Sequence, residues 1–252
     1  MDVHDLAHQP DLNHTPADAL VFFGATGDLA FKKIFPALQS AIAHGSLHIP
    51  VIGVAKQGWT IEQFRERARH SLEEHGGGVK PPAFEMLCRL LRYVDGDYRD
   101  PTTYQKLREQ IDDAKRPLFY LAIPPSLFAV VTQGLADCGM TRGARIVVEK
   151  PFGRDYKSAV ELNETLHRFF PEEAVFRIDH YLGKEPVQNL LYVRFANSIF
   201  EPIWNRNYVQ SVQITMAESF GVQGRGTFYE EAGAIRDVVQ NHILQLLACL
   251  AM

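Results

Sequence analysis

Ala19-Leu20-Val21-Phe22-Phe23-Gly24-Ala25-Thr26-Gly27-Asp28-Leu29-Ala30 is the stretch on which the fold turns. Its first five residues are all apolar and end at a glycine, which reads as a strand buried on both faces. A helix is expected from about Leu29 to His44, stopping near Gly45. Between strand and helix lies Gly-x-x-Gly-x-x-Ala. At such a turn a parallel sheet holds a dinucleotide pyrophosphate, on the amide donors of the helix start. Gly24 allows a tight turn and Gly27 lets the backbone approach phosphates. Two glycines alone also occur in ordinary strand-to-helix turns; the strand before and the helix after favour a ligand site. The candidate cofactor residues here are Gly24, Ala25, Thr26, Gly27, Asp28 and Leu29. Lys33, one turn on, is expected to reach phosphate oxygens in preference to Lys32.

Outward from this turn, strand and helix signals alternate to residue 150, the mark of a parallel α/β sheet. Strands are expected at Val51 to Ala55, Leu91 to Val94, Leu118 to Ala122 and Arg145 to Val148. Helices are expected around 61–74, 82–91, 102–114 and 126–136. After 150 the texture changes. A helix from about Tyr156 to Phe169 leads to a short strand at Val175 to Ile178, then a helix from Glu185 to Phe195. Val209 to Thr215 alternates apolar and polar and is expected to be a strand with one solvated face. The rest, from about Phe228 to Met252, is expected to be helical.

The net charge of -4 over 252 residues argues against a general nucleic-acid binder, which needs a basic face. Cys88, Cys138 and Cys249 are scattered and odd in number, which fits a reducing compartment and neither a disulfide framework nor a zinc site. Residues 1–18 lack the basic start and apolar run of a signal peptide, and their His4, His8 and His14 read as part of a loose tail and not as metal ligands. No run is long and apolar enough to span a bilayer. A cytoplasmic protein with no metal is expected.

Past the second strand stand Lys56 and Gln57, with no acid along the chain until Glu62. Dinucleotide sites selective for NAD place an acid there, whereas a cation suits the additional phosphate of NADP. NADP is the expected cofactor, with tolerance of NAD left open by a lysine in place of an arginine. Asp97 and Tyr98 follow the third strand and either line the adenosine edge or form a simple loop. In Glu149-Lys150-Pro151-Phe152-Gly153, the lysine at a parallel strand's carboxyl end points toward the ligand crevice; by itself a surface turn accounts for it equally well.

Arg177-Ile178-Asp179-His180-Tyr181-Leu182-Gly183-Lys184-Glu185 puts a carboxylate, an imidazole, a phenol and an ammonium within six positions. That set suits a pocket gripping a polyol phosphate. His242 lies at the border of an apolar stripe with Val238 and Leu246. A lone histidine there is usually a core residue. Here Asp237 and Asn241 share a face at i, i+4, and Arg236 and Gln245 flank it, which implies a lined cavity.

The nine-residue run resembles the signature of the glucose-6-phosphate dehydrogenase family, and the likeness extends from the first strand to the last residue. It implies a Rossmann-like α/β domain followed by an incomplete α+β domain, divided as a tail at 1–18, a dinucleotide-binding domain at 19–176 and the beginning of a substrate and dimerisation domain at 177–252. It implies oxidation of glucose 6-phosphate at C1 to the 6-phospho-lactone with NADP+ reduced, the entry step of the pentose phosphate pathway. His242 is then the base and Asp179 its orienter. His180, Tyr181 and Lys184 hold the sugar phosphate, Glu218 and Asp237 accept bonds from sugar hydroxyls, and Lys150 touches both cofactor and sugar. The chain covers about the first half of a typical member. A full-length member is expected to be a homodimer, through a sheet missing here. The apolar run Ile243 to Met252 and the partnerless strand at 209–215 read as a domain begun and not finished. Two alternatives stand beside this reading. One is a non-catalytic NADP-binding fragment. The other is a different Glu-Lys-Pro sugar oxidoreductase, resembling glucose-fructose oxidoreductase, although that family usually keeps a Gly-x-Gly-x-x-Gly loop.

Overall fold

Ala19–Phe23 forms strand β1, and all but Leu20 are fully buried. Alternate side chains leave a strand on opposite faces. Val21 and Phe23 enter one apolar cluster, and Phe22 enters the other. Both faces are covered, which is why the run shows no polar alternation. Each fully buried phenylalanine contributes roughly 2–3 kcal/mol of burial free energy.

The computed structural model describes residues 15–150, 152–153, 155–217, 219, 221 and 226–252. They fall into two compact units divided between Ile178 and Asp179. In the first unit β1 is followed by α1 (Phe35–Ala43), β2 (Val51–Ala55), α2 (Ile61–His75), α3 (Pro81–Leu90), β3 (Leu91–Asp95) and α4 (Pro101–Ile111). Then come β4 (Pro117–Leu121), α5 (Phe128–Asp137), β5 (Arg145–Val148), α6 (Tyr156–His167) and β6 (Val175–Arg177). The six strands pair in parallel in the order β3-β2-β1-β4-β5-β6. That is the Rossmann order, and it reverses direction between β1 and β4, where such sheets open a ligand crevice at their carboxyl ends.

Local chemistry sets most boundaries. Thr60 and Gln63 close a reciprocal capping box at the start of α2, and Asp155 and Ser158 do so for α6. Pro81 and Pro101 open α3 and α4, where a fixed φ costs nothing and no amide is missed. Pro36 has a different consequence. A proline ring inside a helix crowds the carbonyl four residues back. The turn Ala30–Ile34 just before α1 is correspondingly widened to π spacing, with the Phe35 amide bonded to the Ala30 carbonyl. The helix expected to reach residue 114 instead stops at Ile111, because Asp112 takes a positive φ of 52°. The tail expected to run through residue 18 is tethered at its end: Asp18 accepts the amides of Lys115 and Arg116 at 2.9 and 2.8 Å. His4, His8 and His14 lie outside the described residues.

The second unit contains α7 (Glu185–Phe195), α8 (Gly226–Ala234), a π-helical segment (Ile235–Ile243) and α9 (Leu244–Ala251). Two expectations fail here. Residues 209–215 form no strand, and Val209 and Val212 are exposed. Alternation supplies the pattern of a strand, but a ladder needs a neighbouring backbone, and no partner strand lies beside these residues among those described. The single helix expected from 228 to 252 is broken at Gly233, whose φ of 68° and ψ of 166° are not helical. Trp204 Nε1 and Arg194 Nη1 donate to the Leu250 and Cys249 carbonyls at 3.1 and 2.8 Å, satisfying the open end of α9. No helix among the described residues is long and apolar enough to cross a membrane.

Gly53, in the middle of β2, lets α2 close onto the sheet. A Cβ there would overlap the Phe64 ring and lie 2.9 Å from Ala25 Cβ. Gly53→Ala is therefore expected to destabilise the chain by about 1–3 kcal/mol, overriding the usual gain from removing a strand glycine. Urea unfolding followed by circular dichroism checks this; an unchanged midpoint would show that the interface yields freely.

Candidate functional site

The glycine turn sits at the switch between β1 and β4. Gly24 has a φ of 81°, and a Cβ on it would overlap the Ala122 carbonyl past the end of β4. Only glycine meets both conditions. Its amide donates to the Val54 carbonyl at 3.1 Å and to the Tyr98 hydroxyl at 2.8 Å. That hydroxyl in turn donates to Val54 O at 3.1 Å. Tyr98 is locked by an edge contact with Phe23 and by Tyr104, whose hydroxyl donates to its carbonyl at 2.7 Å. Burial pushes the Tyr98 phenol up, so it remains a neutral donor. The Gly27 amide closes back on Gly24 O at 2.9 Å. The turn is thus held at a helix start by its own hydrogen bonds, the Ala25 amide also donating to Val54 O at 3.3 Å. A Cβ on Gly24 would strike the Ala122 carbonyl and one on Gly27 would lie 3.2 Å from Gly24 O, so both glycines keep the turn closed.

Side chains around the turn are placed as follows. Ala25 is buried and offers only backbone; Thr26 and Leu29 are half-buried. Asp28 is exposed and paired with Lys32 at 2.8 Å, a bond that holds its carboxyl below the usual range. Lys33 is exposed. Lys56 and Asp97, both expected at the cofactor, meet each other: Nζ lies 2.9 Å from Oδ2. Asp97 also accepts the Arg99 amide, and that bond, ahead of Lys56, lowers its pKa; Asp97 in turn raises that of Lys56. Asp95, at the end of β3, accepts the Gln57 and Gly58 amides at 2.9 and 2.6 Å and the Tyr93 hydroxyl at 3.1 Å. Along the sequence no acid follows β2 until Glu62; across the sheet β3 delivers two. Beside the turn opens a crevice of about 480 Å³ lined by Thr26, Gln57, Trp59, Gln63, Glu66, Arg67 and His70.

At the end of β5, Glu149 accepts the Tyr120 hydroxyl. Burial, then that bond, pushes the Tyr120 phenol well up. This anchors the backbone just before the half-buried Lys150. Pro151 lies outside the described residues. Phe152 packs on the apolar cluster, and Gly153 takes a φ of 97° against the backbone of Ala159.

In the second unit two of the expected sugar residues, His180 and Tyr181, meet His242. Its ring stacks on Tyr181 with centroids 4.3 Å apart and planes 21° apart. His180 meets it edge-on at 5.3 Å. The Lys184 ammonium stands 4.6 Å from the centre of the Tyr181 ring. Asp179 Oδ1 accepts the amides of Tyr181 and Leu182 at 2.9 and 3.5 Å, folding the run into a turn before α7. Asp237 is buried in the same unit. Glu218 lies outside the described residues. The π-helical segment alters the expected facing, because its repeat brings residues five apart closer to one side than an α-helix does. Asp237 and His242 have that spacing.

Comparison with known proteins bears on this arrangement. The family model described as "Glucose-6-phosphate dehydrogenase, NAD binding domain" matches residues 21–189, and the one described as "Glucose-6-phosphate dehydrogenase, C-terminal domain" matches residues 191–252. The chain belongs to the glucose-6-phosphate dehydrogenase family. Glucose-6-phosphate 1-dehydrogenase 1 of Mycobacterium tuberculosis H37Rv is 45% identical over 236 residues, covering 94% of this chain and 50% of that protein. The Rhizobium meliloti enzyme is 43% identical over 239 residues, covering 92% and 49%. Among solved structures, glucose-6-phosphate 1-dehydrogenase from Mycobacterium avium superposes with a TM-score of 0.84 at 45% identity, over 94% of this chain and 53% of that one. A glucose-6-phosphate dehydrogenase in complex with its substrate glucose 6-phosphate gives 0.86 at 40% identity, over 94% and 52%. The chain spans about half the length of the curated relatives it matches.

Within this member of the dehydrogenase family, several residues that shape the site carry no motif of their own. Asp95 looks like a strand terminus, Tyr120 like a strand aromatic, and Arg67 like a charge on a helix face. The only signal for Asp95 was an acid at the carboxyl end of a parallel strand. Its environment makes it titratable evidence: burial raises its pKa, but the bonds from Gln57, Gly58 and Tyr93 outweigh that and leave it lowered. A depressed folded pKa gives stability that is present above the unfolded value and lost as pH falls through the folded one. Wild type is thus expected to lose more stability than Asp95→Asn between about pH 5 and about pH 2. Urea midpoints across that range check this; parallel losses would remove Asp95 as a holder of the loop.

Proposed function

We propose that this chain handles both substrates of a glucose-6-phosphate dehydrogenase reaction: oxidation of glucose 6-phosphate at C1 to 6-phosphoglucono-lactone with NADP+ as acceptor. The observation that carries the proposal is the meeting of His242 with Tyr181 and His180, some sixty positions earlier, in a chain of this family whose first unit offers a glycine turn.

His242 takes the proton from the C1 hydroxyl. An imidazole titrates near neutral pH and accepts that proton without a large driving-force penalty. The stack on Tyr181 fixes the ring plane, and Asp179 orients and stabilises the imidazolium as it forms. When bound, the oxidised nicotinamide supplies the acceptor for the hydride that leaves C1 as its carbonyl forms. The phosphate on C6 is held by Lys184 as a point charge, with His180 and Tyr181 donating hydrogen bonds. Asp237 and Glu218 accept bonds from the sugar hydroxyls, and Lys150 reaches cofactor and sugar together. Gly24, Ala25, Thr26, Gly27, Asp28 and Leu29 form the turn that holds the pyrophosphate, the amides of Gly24, Ala25 and Gly27 being spent on the turn itself. Lys33 adds charge, and Lys56, Asp97 and Tyr98 frame the adenosine end. A homodimer and a cytoplasmic location belong to the same proposal.

His242→Asn keeps a polar ring-sized group but removes the base. Glucose-6-phosphate-dependent NADPH formation is expected to fall by about 10²–10⁴-fold in kcat, with KM changed little. A variant retaining more than about a tenth of the wild-type rate would strip His242 of this role.

A further inference from the structure

We propose that Tyr120, on β4, is a positioning residue for ligand binding: its hydroxyl engages the Glu149 carboxylate and so keeps that carboxylate off Lys150, whose ammonium stays available to an anionic ligand. The inference rests on the reading above that Lys150 reaches cofactor and sugar, and it adds a residue that acts only through another.

Glu149 and Lys150 are neighbours in the chain. A carboxylate so close is the natural competitor for the ammonium, and a phosphate arriving at a lysine already paired must displace one anion and remain near it, which cancels much of the attraction. The sheet removes the competitor. Parallel register sets Tyr120 beside Val147. Side chains two apart on a strand leave on the same face, so Glu149, two positions after Val147, follows the side of Tyr120. There the Tyr120 hydroxyl donates to Glu149 Oε1. Burial, then this bond, pushes the phenol well up, so Tyr120 keeps its proton and remains a donor. A hydroxyl on a carboxylate is among the stronger hydrogen bonds. Among the described residues no acid forms an ion pair with Lys150.

Tyr120 is itself fixed for the task. It pairs with Phe22 of β1 and packs against the apolar cluster that contains Phe22. Phe152 packs on the other cluster, which covers the opposite face of the sheet. The chain is therefore anchored at Glu149 on one face and at Phe152 on the other, and Lys150 lies on the crossing between them, at the carboxyl edge where a parallel sheet binds ligands. The last paired residue of β5 is Val148. Glu149 is thus past the ladder, and a side-chain bond holds it there. A phenylalanine at position 120 would serve the packing equally well; only the hydroxyl serves the carboxylate.

The test titrates the full chain with NADP+ and with glucose 6-phosphate by calorimetry, in wild type, Tyr120→Phe, Glu149→Gln and the double variant. Tyr120→Phe keeps the ring and releases the carboxylate to its neighbour, and both ligands are expected to bind about five-fold more weakly. Glu149→Gln has no charge to compete and is expected to stay within about two-fold of wild type. The double variant is expected to regain wild-type affinity within about two-fold, a rescue that a merely structural role for the phenol would not produce. Undiminished affinity in Tyr120→Phe overturns the proposal, as does a double variant as weak as Tyr120→Phe. If Tyr120→Phe is unfolded by circular dichroism, Glu149→Asp withdraws the carboxylate from the hydroxyl but keeps it beside Lys150, and is judged in the same way against Glu149→Asn. If wild type binds only one of the two ligands, the ratios are read on that one. A wild-type chain that binds neither refutes the underlying reading and this inference with it, a result distinct from normal binding that is indifferent to Tyr120.

Discussion

A single amide, that of Gly24, ties the first unit together. It is bonded to the Val54 carbonyl and the Tyr98 hydroxyl, so the ends of β1, β2 and β3 meet through one N–H and one phenol. The positive φ and the nearness of the Ala122 carbonyl bring in the end of β4. Each contact by itself is modest, of order 1 kcal/mol net. Their conjunction fixes the position of the helix start relative to the ends of the strands.

The charges beyond this turn follow from sheet register. Parallel pairing sets Ala55 beside Asp95. An acid at the end of β3 consequently lands under the loop that follows β2. There it accepts two amides and shapes the loop, while Asp97, two residues on, engages Lys56. The same loop forms one wall of the crevice at Arg67. The shapes of the loop and of the crevice are thus linked through carboxylates whose first task is structural.

The second unit makes its site by a different device. Asp179 folds a short turn with its own side chain, which projects His180 and Tyr181 to meet His242. The π-helical segment that bears His242 follows a broken helix at Gly233. Wide turns are less favourable than α-helical ones and occur often at functional sites, where they re-aim side chains. Here the widening gathers Asp237 and His242 toward one side, which an α-helical repeat does not.

Much of this was written in the chain. The apolar run Ala19 to Phe23 and the alternation of strand and helix signals up to residue 150 marked the sheet, and the residues from Arg177 to Glu185 carried the family likeness. These are local signals, set by what a few neighbouring side chains can bury or bond. The tertiary structure decided the rest. The alternating segment at 209–215 is not a strand, because alternation describes one chain and a ladder requires two. Lys56 pairs with Asp97, and Asp95 holds Gln57 and Gly58, because parallel register brings together residues some forty positions apart. Arg67 stacks on Phe31 because α2 packs against the helix start after β1. Sequence pattern specifies which faces are buried; which groups then meet at the edge of the sheet depends on packing between elements, and no local periodicity encodes that.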